Sequence, residues 1–260
     1  MEFILGPLFI LETFLLLPLK DNRERQRGFP IATASLVALN VVIFVFMLWV
    51  LPGIVSDPEQ FYGDLFENFA IVPINVLEQN GPGALSLVTA GFMHANIAHL
   101  MGNMIILWFF GRKVEDLTGP FRFLLFYLLC LLGAGITSAV GRHALSPIEA
   151  TVPSIGASGA ISGVMAAYLF LYASEQINTL VVFASIPIPY VFKWPAWVYI
   201  VYNFVHDLLL GLLTEELVKI YGASPIGVDV FAHAGGLIMG LIFIYLYLLP
   251  DALVDRRQHR

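Results

Sequence analysis

Long apolar runs separated by short polar stretches dominate the chain. Six of them lie near 31–51, 86–110, 121–141, 153–173, 195–213 and 230–250. Each approaches the roughly 20 apolar residues that a membrane helix needs to satisfy its own backbone in lipid. A seventh run, Phe3 to Leu19, carries Glu12 and is slightly short. It follows only two residues and lacks a small-residue cleavage site, so it does not read as a signal peptide. It reads as an interfacial or peripheral helix, with an extra N-terminal span as the alternative. The stretch 179–192 is apolar too, but Pro187 and Pro189 disfavour a helix interior. It reads either as the start of the fifth helix or as a loop at the interface. The pattern predicts an all-α fold, a polytopic membrane helical bundle with a six-helix domain over 31–250. An apolar segment and basic stretch precede it at 1–30, and a basic tail follows at 251–260.

Composition narrows the class. Only 12% of the 260 residues are charged and 58% are hydrophobic, whereas about a quarter of a soluble domain is charged. This excludes a cytosolic globular enzyme and a disordered chain. The net charge of −6 argues against nucleic acid as a partner, because phosphate binding needs a basic face. A single cysteine, Cys130, excludes a disulfide scaffold and a thiolate metal cluster.

Basic residues set the orientation. Lys20, Arg23, Arg25 and Arg27 precede the first core helix, Arg112, Lys113 and Arg122 follow the second, and Arg256, Arg257 and Arg260 follow the last. These ten of thirteen fall on one side, Lys193 joins them, and only Arg142 and Lys219 fall on the other. Both ends of the six-helix core are therefore expected in the cytoplasm. The first loop, about 52–85, holds Asp57, Glu59, Asp64, Glu67 and Glu78 without a Lys or Arg, and is expected outside.

Ionisable and polar groups inside a membrane are expensive and point to function. They concentrate in three places: His94, His99 and Asn103 in the second helix, Gly156 to Gly163 with Ser158 and Ser162 in the fourth, and His233, Gly235, Gly236 and Gly240 in the sixth. All three helices enter from the outer face, so these groups converge toward the outer leaflet. Gly159 and Gly163 form one G-x-x-x-G pattern and Gly236 and Gly240 another, the spacing that lets helix backbones approach closely. A crossing of those faces would put the Ser158 hydroxyl within reach of the His233 imidazole. A serine needs a neighbouring base to become a nucleophile, and a developing oxyanion needs preorganised donors. His99 and Asn103, four apart, point the same way as two such donors. His94 is rotated by about 140° from His99 on one helix and is expected to face elsewhere. Asp229 stands four before His233; it could orient the ring, but reads better as an acidic loop residue. His206 and Asp207 read as a helix–helix hydrogen-bonding pair, and His143 and His259 as loop and tail residues. Taken alone, Ser158 would read as a packing serine that bonds its own helix. The combination on helices of matched orientation carries the argument.

These residues resemble the rhomboid family of intramembrane serine proteases. The segment from His94 through His99 to Asn103 is similar to that family's H-x4-H-x3-N pattern, Gly156-Ala157-Ser158-Gly159 to its G-x-S-G motif, and Ala232-His233 with Gly236 to its A-H-x-x-G motif. The resemblance runs over about 16–250, in the style of prokaryotic members. It implies a six-helix rhomboid-like core and a Ser–His dyad without a third acidic member. Ser158 would be the nucleophile and His233 the general base and acid. The oxyanion hole would comprise the Ser158 amide with the His99 and Asn103 side chains. Gly156 would keep the backbone open beside the oxyanion, Gly159 and Gly236 would support the site, and His94 would be more structural. The implied substrates are transmembrane proteins, cleaved near the outer face of a prokaryotic cell membrane, with no metal or other cofactor.

Two departures stand out: Leu85 and Ser86 occupy the place of a common Trp-Arg pair, and Ser162 that of a tyrosine stacked on the histidine in some members. A noncatalytic rhomboid-like protein that binds transmembrane helices is the alternative. The presence of both Ser158 and His233 favours the enzyme. A transporter has less support, for want of an internal repeat. The G-x-x-x-G pairs serve internal packing or association between copies, so oligomeric state stays open.

Overall fold

Proline has a fixed φ that suits a helix entrance, and Pro30 precedes the first long helix, α1 (Ile31–Gly53). Its 23 residues extend about 34 Å, enough for the roughly 30 Å hydrocarbon layer. The computed structural model describes residues 14–22, 28–78, 83–145, 147–183, 186–221 and 228–248.

The predicted outer loop contains two helices, α2 (Pro58–Phe69) and α3 (Pro73–Leu77). Each starts on proline, and the Asp57 carboxylate caps the first by accepting from the Gln60 amide at 3.1 Å. The second apolar run is not one helix over 86–110. It forms α4 (Gly83–Phe92) and α5 (Ile97–Thr118), bent by 83° at Met93–Asn96. Asn96 has extended backbone and accepts the His99 amide at 2.9 Å, so a new helix starts there.

Because α5 continues to Thr118, Glu115 lies inside the fold, 3% exposed. Its carboxylate accepts from the amides of Ala32 and Thr33 at 3.0 and 2.8 Å and from the Thr33 hydroxyl at 2.7 Å. It thus neutralises the amides exposed at the start of α1, where the helix dipole favours negative charge. Glu115→Ala is expected to destabilise the protein by about 2 kcal/mol, the upper range for losing a helix cap. Thermal unfolding in detergent checks this, and an unchanged midpoint refutes it.

The remaining helices are α6 (Pro120–Leu145), α7 (Ser158–Tyr172), α8 (Ala196–Tyr221) and α9 (Val230–Leu246). α1, α6 and the first 18 residues of α8 are long and apolar enough to span alone; the bent α4–α5 pair passes the test together, and α7 and α9 are shorter apolar helices. The chain is a multi-pass membrane helical protein with apolar helices in all six expected places. The start of α7 differs from expectation. Residues 153–157 are not helical: Ser154 makes two backbone hydrogen bonds with Ile71, both 2.9 Å. Ser158 is therefore the first residue of its helix rather than about the sixth.

The chain forms two compact units, Met1–Gln26 with Leu171–Val228, and Arg27–Phe170 with Asp229–Arg260. The first contains a feature that an all-helical reading did not anticipate, an antiparallel sheet in the order β1 (Phe14–Asp21), β2 (Gln176–Phe183), β3 (Ile186–Pro195). Leu17 pairs with Leu180, and Leu180 with Val191. Pro18, Pro187, Pro189 and Pro195 all lie on the outer strands, where a missing N–H is tolerated, and none lies on the central β2. The expectation of a helix over Phe3–Leu19 is thus corrected for Phe14–Leu19, which is strand; residues 3–13 lie outside the described residues. Of the stretch 179–192, residues 179–183 and 186–192 form neither the start of a helix nor a loop but paired strands of β2 and β3, while 184 and 185 lie outside the described residues. Ile177, Thr179, Val181 and Val182 supply the β-branched residues that favour strand. In the same unit Tyr199 of α8 donates to the Leu16 carbonyl at 3.2 Å.

In the second unit α9 lies along α6, with Phe126 and Phe243 rings 4.9 Å apart. This pairing carries the crossing of α7 and α9.

Candidate active site

Glycine lets α7 and α9 touch backbone to backbone. A Cβ added at Gly236 would lie 1.8 Å from the Gly159 carbonyl oxygen, and one at Gly240 would lie 2.5 Å from that of Gly163. Both G-x-x-x-G patterns therefore meet at one crossing within the chain. Ser158 immediately precedes Gly159, and His233 stands one turn before Gly236. Their side chains come together across the two helices, with His233 Nε2 2.8 Å from Ser158 Oγ.

Two backbone attachments hold the approach to Ser158. The Ser154–Ile71 pair anchors one end, and the Gly156 amide donates to the Ala90 carbonyl at 2.9 Å. Gly156 has φ +125°, a conformation that L side chains rarely adopt. A Cβ there would also lie 2.8 Å from His99 Cε1 and Nε2, and 3.7 Å from Asn103 Nδ2. His99 and Asn103 thus stand beside the backbone two residues before Ser158. Both are held by the new helix: Asn96 caps α5, and His99 occupies its first turn.

His94 does not face elsewhere. Its Nε2 is 3.0 Å from Asn103 Nδ2, and its ring centroid is 5.0 Å from that of His99, nearly edge-on. A rotation of about 140° between His94 and His99 holds only on one continuous helix, and the helix is broken at Met93–Asn96. His94 orients the amide of Asn103 from outside α5.

Other polar residues take simpler places. Ser162 donates to the Ser158 carbonyl at 2.9 Å, back-bonding within α7. Asp229 caps α9 by accepting the Ala232 amide at 2.9 Å, so its side chain holds the turn that carries His233. His206 stacks on Tyr202 of its own helix, 5.9 Å between rings, and its Nδ1 is 3.8 Å from Asp207. His143 is exposed near the end of α6, and His259 lies outside the described residues. The sequence reading missed Ser138, Arg142 and Glu149, which join Asp229 in a buried cluster. The available signal was Arg142 itself, a cation against the charge pattern and four residues after a serine on one helix.

The rhomboid domain family matches residues 82–250 of the chain. Rhomboid protease GluP of Bacillus subtilis (strain 168) is 31% identical over 248 residues, covering 93% of this chain and 41% of that protein. RHOMBOID-like protein 6, mitochondrial, of Arabidopsis thaliana is 31% identical over 163 residues, covering 63% of this chain and 43% of that protein. Rhomboid protein 1, mitochondrial, of Saccharomyces cerevisiae is 28% identical over 176 residues, covering 68% and 45%. The chain spans less than half the length of each of these relatives.

Proposed function

The chain belongs to the rhomboid family, and from that premise we propose that it is an intramembrane serine endopeptidase with Ser158 as nucleophile and His233 as general base and acid. The observation that supports this most is the 2.8 Å approach of His233 Nε2 to Ser158 Oγ, made by side chains of two helices. A neutral imidazole accepting the hydroxyl proton activates a serine that is otherwise a poor nucleophile.

Ser158 Oγ attacks the scissile carbonyl carbon while its proton passes to His233 Nε2. The carbonyl oxygen becomes an oxyanion, which the Ser158 amide and the side chains of His99 and Asn103 stabilise. Collapse of the tetrahedral adduct breaks the C–N bond, and His233 gives its proton to the leaving amine. Water then attacks the acyl-enzyme, its proton taken by His233; collapse breaks the acyl C–Oγ bond, and His233 returns the proton to Ser158 Oγ. The substrates are transmembrane proteins. A helical peptide bond is shielded by its own turn, so the cleaved segment must unwind near the outer face of the cell membrane. Small or helix-breaking residues there favour cleavage. The excess of Lys and Arg on one side supports cytoplasmic ends for the six-helix core.

A fluorophosphonate probe tests this reading directly. Purified full chain in liposomes is expected to label at Ser158, with labelling lost in His233→Ala. Absence of His233-dependent labelling across several lipid compositions, with binding of a transmembrane peptide retained, would instead identify a noncatalytic rhomboid-like helix-binding protein.

A further inference from the structure

The side chains of Ser138, Arg142, Glu149 and Asp229, unused by the proposed chemistry, meet at the start of α9. Ser138 and Arg142 lie four apart on α6 and so share a face. Ser138 Oγ donates to Asp229 Oδ2, and Arg142 Nη1 stands 3.6 Å from the same oxygen. Asp229 Oδ1 caps α9 at the Ala232 amide, 2.9 Å away. On its other side the guanidinium is engaged again: Nε donates to Glu149 Oε2 at 3.2 Å and Nη2 to the Val152 carbonyl at 2.7 Å. Arg142 is 6% exposed.

One planar cation therefore links two segments that reach the site from different parts of the chain. Asp229 precedes His233 by four residues, one helical turn. Val152 precedes Ser158 by six, in the extended segment that delivers it. The fork of the guanidinium fixes its angle to Glu149 and Val152 through two hydrogen bonds, and holds Asp229 by charge, since Nη1 makes no hydrogen bond. We propose that Arg142 is a positioning residue, setting the register between the turn that carries His233 and the segment that carries Ser158. It does so for the reaction proposed above and rests on that reading. An ammonium is a point charge and cannot reproduce the fork. A neutral side chain leaves the buried Glu149 and the partly buried Asp229 carboxylates without their shared cation.

The test uses the full chain in liposomes with Arg142→Lys and Arg142→Gln, scored by cleavage kinetics of a fluorogenic transmembrane peptide. Histidine labelled with 15N gives a second readout in detergent, with the His233 ring assigned from His233→Ala. In Arg142→Gln kcat is expected to fall by about 100-fold, as a displacement of about 1 Å at reacting groups does. KM is expected to stay within about twofold, because Arg142 is only 6% exposed and its side chain bonds within the protein. The His233 resonance is expected to move toward its position in Ser158→Ala, reporting loss of the bond to Ser158. Arg142→Lys, which retains the charge and is milder on folding, is expected to show the same separation of kcat from KM. Folded variants that keep kcat within about twofold overturn the proposal, as does a loss that only follows the folded fraction. An unmodified chain that neither labels nor cleaves overturns the protease reading instead. In that event an unmoved His233 resonance in Arg142→Gln rejects the positioning role separately.

Discussion

Cleavage of a transmembrane peptide in liposomes is expected to fall by about 10⁴-fold or more when either Ser158 or His233 is replaced by alanine. In the proposed mechanism Ser158→Ala removes the atom that would form the new bond. His233→Ala leaves that atom in place but removes the acceptor 2.8 Å away, so the attacking oxygen keeps its proton. Groups that act as one unit are strongly non-additive. The double variant is therefore expected to be no slower than either single one, with residual turnover reflecting binding and the oxyanion donors. Circular dichroism and thermal unfolding check that each variant keeps its helices. A folded Ser158→Ala protein that still cleaves at a rate comparable with the unmodified chain would falsify the assignment.

Gly236→Ala is expected to disable the site without touching a reacting group. Its new methyl carbon would start 1.8 Å from the Gly159 carbonyl oxygen. The obstacle is backbone, so it cannot rotate away as a side chain end would. α7 and α9 must separate by more than about 1 Å to restore van der Waals contact. Such overpacking costs about 1–3 kcal/mol or more in stability. The same displacement carries Ser158 away from His233, and a misplacement of this size costs about 100-fold in rate. Gly63→Ala is the control: a Cβ there meets nothing within 4 Å, and activity is expected to stay unchanged. A folded Gly236→Ala protein with full activity would show that the contact between backbones does not set the site.

The two predictions draw on information of different kinds. Ser158 and His233 were legible from residue type, motif spacing and the parity of helices crossing the membrane. Gly236 was legible as a member of a small-residue pattern, but its contact with Gly159 rather than with a second copy required coordinates. His94 shows where sequence reasoning fails. Helical rotation placed it away from Asn103, yet the two side chains are 3.0 Å apart, because Asn96 interrupts the helix. Asn is a residue type that favours helix N-caps, but Asn96 stands within an apolar run that carries no mark of a bend. Arg142 was counted only as a charge on the less basic side. Nothing local in the sequence pairs it with Asp229, 87 positions later.

Phe14–Leu19 and 179–192 make the same point for the fold. Leu16, Leu17, Val181 and Val191 are apolar whether they enter a helix or a sheet. Pro18, Pro187 and Pro189 argue against helix without choosing what replaces it. The partner strand decides, and β1 finds β2 more than 150 residues away.

The sequence by itself determined which segments prefer lipid and the residue types available for chemistry. Transfer from water to hydrocarbon depends on a segment's own composition and length, so no partner is needed to read it. The tertiary structure alone decided the 2.8 Å approach of Ser158 and His233, the turn of His94 onto Asn103, the sheet and the Arg142 cluster. Each of these is set by where distant backbones pack against one another, and close packing resolves positions to a fraction of an ångström that hydrophobic pattern cannot encode.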